Sequence, residues 1–139
     1  MDPSKWKVKH DITSLTLVNA TAKNILHTVP VGEQQILIGW KMTNPDDVTR
    51  NMTVQLFKEA AKTNLLKVLF TEANVAASQR RQWPQGENTS SVAKDARPPS
   101  MWMTAGTTIS FDWDSGGAST GGTDADGLVV EYLTTKVRS

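Results

Sequence analysis

Four aspartates, Asp112, Asp114, Asp124 and Asp126, bracket the segment Ser115-Gly-Gly-Ala-Ser-Thr-Gly-Gly-Thr123, and hard carboxylate oxygens beside a flexible loop are the donors that calcium takes. Their spacing matches no EF-hand loop, so they read as turn residues whose side chains bond nearby backbone amides, around a glycine-rich hairpin tip. Asp112 and Asp114 are also the nearest approach to an acid–base pair. Strand alternation puts both on one wet side, with no apolar wall to raise either pKa. The glycines do not cradle a phosphate, because no lysine follows them and no strand-to-helix transition is predicted. His10 and His27 lack a third ligand for zinc and read as satisfied, partly exposed histidines. Three Asn-X-Ser/Thr sequences, at Asn19, Asn51 and Asn88, read as chance in a threonine-rich chain. No spaced nucleophile, base and orienting residue occur together, so the sequence predicts neither catalysis nor a metal or other cofactor.

The elements that carry these residues are strands. In Met101-Trp-Met-Thr-Ala-Gly-Thr-Thr-Ile-Ser-Phe-Asp-Trp-Asp114, Ile109, Phe111 and Trp113 point one way while Thr108, Ser110 and Asp112 point the other. Gln35-Ile-Leu-Ile-Gly-Trp-Lys-Met42 is a long strand entered through the Pro30 and Gly32 turn, with Ile36, Ile38, Trp40 and Met42 expected on one face and Asn44-Pro-Asp-Asp47 closing it. Met52, Val54 and Leu56 alternate, as do Leu66, Val68 and Phe70. Two strands are favoured there over a helix, for want of a framed apolar stripe. Ser14 to Val18 and Asn24 to Thr28 are short strands, and Lys5-Trp-Lys-Val-Lys-His10 alternates basic and apolar residues as an arm or a lysine-protected edge strand would.

Composition bounds the rest. A chain of 139 residues fits one domain with its own core. Cysteine is absent, which removes disulfides and thiolate metal sites. Fifteen basic and fourteen acidic side chains leave a net charge of +1, too little for a field that would hold nucleic acid. No apolar run approaches the ~20 residues that span a bilayer, and the amino terminus has no hydrophobic signal core. The expectation is a soluble protein with neither nucleic-acid nor membrane partners. It would comprise an arm or edge strand over 1–11 and a single β-sandwich domain over 12–139.

From Glu72 to Pro99 the chain is polar and irregular, far longer than the ~4–6 residues of an ordinary connection, which makes it the first candidate for partner contact. Trp40 and Trp113 read as core. Trp6, Trp83 and Trp102 read either as interface anchors or as rings partly buried against the domain's own loops, with Lys7, Lys9, Arg80, Arg81 and Arg97 as the basic residues around them, partner-binding or simply solvated.

The succession Thr28-Val-Pro-Val-Gly32, an apolar strand ending at Thr43-Asn44, an internal hairpin, Met103-Thr-Ala-Gly-Thr-Thr-Ile109 and Gly127-Leu-Val-Val-Glu-Tyr-Leu-Thr134 resembles small structural proteins of tailed-bacteriophage virions. It is most similar to capsid decoration, or cement, proteins. The resemblance implies an all-β, antiparallel, jelly-roll-like sandwich with one long irregular loop. It also implies a homotrimer made in the host cytoplasm that sits on the virion and clamps neighbouring major capsid protein subunits. A second reading is a carbohydrate-binding β-sandwich of a phage tail or cell-surface assembly, stacking sugar rings on exposed tryptophans.

Overall fold

The computed structural model describes residues 5–18, 22–83, 101–114 and 120–137. Among these described residues nine strands follow one another: β1 (Lys7–Val18), β2 (Lys23–Thr28), β3 (Glu33–Thr43), β4 (Arg50–Phe57), β5 (Leu65–Val75), β6 (Arg80–Trp83), β7 (Met101–Met103), β8 (Thr108–Asp114) and β9 (Thr120–Lys136). One sheet has the order β1-β9-β3-β6, with β7 also on β3, and the other has β2-β8-β4-β5. The pairing is nested: β1 meets β9, β2 meets β8, β3 meets β6 and β4 meets β5, all antiparallel. A long hairpin rolled across two sheets in this way is a jelly roll, so the all-β sandwich expected from the alternation is the fold.

The core lies between the sheets. Ile109, Phe111 and Trp113 of β8 are fully buried against Met52, Val54, Phe70, Leu15 and Leu17, and Trp40 meets Phe70 edge-to-face with ring centroids 5.2 Å apart. Trp113 Nε1 donates to the Thr43 carbonyl at 2.8 Å, which removes the cost of burying the indole N–H. At one end of the sandwich, Arg50 and Asp46 form an ion pair with both side chains fully buried. Asn44 beside it donates to the Val75 carbonyl at 2.9 Å and the Val48 carbonyl at 3.0 Å, tying the β3–β4 turn to the end of β5.

Several expectations need correction. Ile36 and Ile38 do not share a face with Trp40 and Met42, because the β3–β9 register shifts between Leu37 and Gly39. One extra residue reverses the side-chain parity. Leu37, Trp40 and Met42 therefore point into the core, while Ile36 and Ile38 are half-buried on the other face. The irregular segment does not begin at Glu72: β5 continues to Val75, and β6 lies at Arg80–Trp83. Residue 11 lies inside β1, which pairs with β9 from Lys7 onward. The glycine-rich run is in part strand. Gly122 lies in β9, where a Cβ would sit 1.7 Å from the Pro45 carbonyl oxygen, so glycine is required there by close approach.

Candidate partner-binding surface

Among the described residues β1 is the outermost strand of the five-stranded sheet and pairs with β9. Alternation along it puts Val8, His10 and Ile12 on the outer face and Lys7, Lys9 and Asp11 on the side of the inter-sheet opening. The outer face is organised in transverse rows. Val8 lies opposite Leu133, Leu133 opposite Ile36 and Ile36 opposite Trp102; Ile12 lies opposite Val129 and Val129 opposite Lys41. Val8, Ile12 and Trp102 are 60%, 61% and 55% exposed. Trp6 closes the surface by meeting Trp102 edge-to-face at 5.3 Å and an interplanar angle of 81°. Between the apolar rows, His10 Nδ1 stands 3.8 Å from Glu131 Oε1.

The other side of β1 is polar. His27 of β2 bridges the two sheets: its Nδ1 lies 3.1 Å from Asp11 Oδ2 and its Nε2 2.7 Å from Gln35 Oε1. Tyr132 packs on the His27 ring at 4.7 Å and donates its hydroxyl to Asp11 Oδ1 at 3.1 Å. Burial, then the hydrogen bond and the charges of Asp11 and Glu33, push the Tyr132 phenol up to about 12, so it remains a donor at any physiological pH. These groups line a cleft of about 470 Å³. A second hollow of about 220 Å³ continues from it, lined by Lys5, Lys7, Lys9 and Lys136 with Glu33, Thr134 and Thr135. Glu33 is engaged, taking the Thr134 hydroxyl at 2.8 Å and Lys136 Nζ at 3.6 Å.

The residues expected to contact a partner therefore divide. Trp6, Lys7, Lys9 and Trp102 lie around β1 and its sheet face, with Lys7 and Lys9 exposed. Arg80 is exposed on β6, its Nε donating to Thr43 Oγ1 at 3.4 Å. Arg81 and Trp83 are corrected. Arg81 is 4% exposed and gives both Nε and Nη2 to Glu72 Oε2, at 3.0 and 2.7 Å, and Trp83 is 6% exposed within the core cluster. The arginine does find a carboxylate, but in its own domain, because β6 alternates and its second and fourth residues face inward. Arg97 lies outside the described residues. Sequence reasoning missed Ile12, Leu133 and the His27 cluster. The signal for Leu133 was present: Leu128-Val-Val-Glu-Tyr-Leu133 is apolar on both strand faces, the pattern of a strand with both faces covered.

Residues 42–98 match the family model of the phage terminase small subunit, less than half of the chain. That match makes the chain phage-related. No curated protein sequence matches it. Among solved structures, the infectious bursal disease virus Gx strain structure aligns at a TM-score of 0.43 and 9% identity, covering 99% of this chain. This chain spans 36% of that viral chain. The K2 cleaved adhesin domain of Lys-gingipain aligns at a TM-score of 0.29 and 12% identity over 97% of this chain and 91% of its own. Neither superposition is close enough to bear on function.

Proposed function

We propose that this protein is a phage virion structural protein of the decoration, or cement, kind. It would bind the outer surface of an assembled capsid and bridge major capsid protein subunits, as a homotrimer and without catalysis. The observation that carries the reading is the outer face of the five-stranded sheet. A sheet face bearing Val8, Ile12 and Trp102 at more than half exposure, between half-buried Ile36 and Leu133, is what a soluble protein keeps where a neighbour will cover it. A bridging protein gains strength from several such modest surfaces engaged together. The test is co-sedimentation of the purified protein with undecorated capsids, with light scattering for its own state. Pelleting with capsids is expected. Retention on immobilised glycans without pelleting overturns the reading.

Two other readings are weighed by specific observations. The terminase match favours a role beside a terminase, and co-purification with terminase subunits instead of capsids would establish it. The carbohydrate reading loses support because Trp6 and Trp102 stand at 81° to each other, so they make no flat platform on which a sugar ring could stack.

A further inference from the structure

The geometry points to β1 as an acceptor for strand addition, its occupant being an extended segment of a partner protein in which acidic and apolar side chains alternate. Among the described residues β1 is an edge whose outer backbone groups face away from β9, the strand it pairs with. Lysines on an edge normally serve to repel other strands. Here they do so on one side only. A strand kept solitary would not also expose Val8 and Ile12 at 60% and 61%. The two rows are sorted: Lys5, Lys7 and Lys9 border the hollow between the sheets, and Val8 and Ile12 border the apolar sheet face.

An incoming strand must place alternate side chains on these two sides, and cross-strand neighbours of opposite charge or shared apolarity favour each other. Acidic residues would then face the lysines, with the Thr134 and Thr135 positions behind them, and apolar residues would extend the Val8 and Ile12 row. Among the described residues, Lys5, Lys7 and Lys9 have no carboxylate within ion-pair distance, whereas Lys136 is taken by Glu33. A second copy pairing through the same edge would bring lysines against lysines, which disfavours self-addition. The inference does not depend on the partner's being a capsid subunit. Loss of capsid sedimentation would remove the proposed function and leave this surface standing.

The probe is a capped octapeptide of four glutamate–valine repeats, titrated into the full chain and followed by amide NMR at low ionic strength. Shifts confined to β1 and its neighbour β9 are expected. Lys7→Glu with Lys9→Glu should weaken binding about tenfold, since attraction becomes repulsion at two cross-strand positions, and an unchanged melting temperature would show that the variant folds. Methylating the peptide's edge-facing amides should abolish binding. Val8→Thr with Ile12→Thr, a second variant that keeps strand propensity, should weaken it less. Equal binding by a peptide with four glutamates followed by four valines, indifference to methylation, silence of the β1 amides, or self-association through β1 would each overturn the proposal.

Discussion

The outer faces of the two sheets were built from the same alternating chain and ended differently. On the four-stranded sheet the rows are mainly polar and already satisfied, although Leu26 stands 41% exposed among them: Asn24 Nδ2 donates to Ser110 Oγ at 2.7 Å and to Asp112 Oδ1, Thr28 pairs with Thr108 at 2.9 Å, and Thr53 with Thr71 at 3.4 Å. On the five-stranded sheet the rows are apolar, and the His10–Glu131 pair is set among them. A satisfied polar row gains nothing from a neighbour, whereas an apolar row in water gains from any cover that fits. The difference teaches where this molecule has work left to do after folding.

The most severe test removes the frame that both faces share. Arg50→Ala should cost about 3–5 kcal/mol in urea unfolding by leaving the buried Asp46 carboxylate without its arginine, and it should disable both faces alike. A loss under 1 kcal/mol would mean that the end of the sandwich is held by something else. Sharper is a direct contrast. Trp102→Ala should cost about 2 kcal/mol of partner binding, as a central aromatic anchor does, with little change in melting temperature. Thr53→Val on the opposite face should leave binding unchanged and stability within about 0.5 kcal/mol. If Thr53→Val weakens binding as much as Trp102→Ala, the comparison is reversed.

The smallest effect is local. Glu59, held at about 2 by hydrogen bonds from the Thr63 and Asn64 side chains and, to a lesser degree, their backbone amides, steadies the β4–β5 hairpin. Its folded pKa lies below the ordinary 4.5. The contribution is therefore complete above that ordinary value and lost as pH falls toward about 2. Hydrogen exchange at Thr63 and Asn64, compared at matched intrinsic rates, should lose protection over that window and do so already at neutral pH in Glu59→Gln, with β1 unaffected.

Much of the fold was legible in the sequence. The β8 alternation and the burial of Trp40 and Trp113 follow from periodicity, and the two strands around Met52–Leu56 and Leu66–Phe70 follow from alternation together with strand propensity and the lack of a helical apolar stripe. What was not legible depended on single residues or distant partners. The bulge at Ile38 reverses which isoleucines face out, and no composition rule marks one extra residue in an apolar run. Arg81 looked free because its carboxylate, Glu72, lies across the sandwich edge in a stretch that reads as loop. The proposed binding surface was half visible: Lys7 and Lys9 stood out by charge, but exposure of Val8 and Ile12 follows only once β1 is placed at the border of its sheet.

At the opposite border of that sheet, β6 lies along Trp40 to Thr43 of β3 and β7 along Gln35 to Leu37, so among the described residues that border consists of two fragments, four and three residues long. Fragments so short give an approaching chain almost no continuous backbone to grip. If β1 accepts a guest strand as proposed, the described residues offer a long continuous edge on one flank of this sheet and short fragments on the other, an asymmetry that works against end-to-end stacking of copies into a fibre.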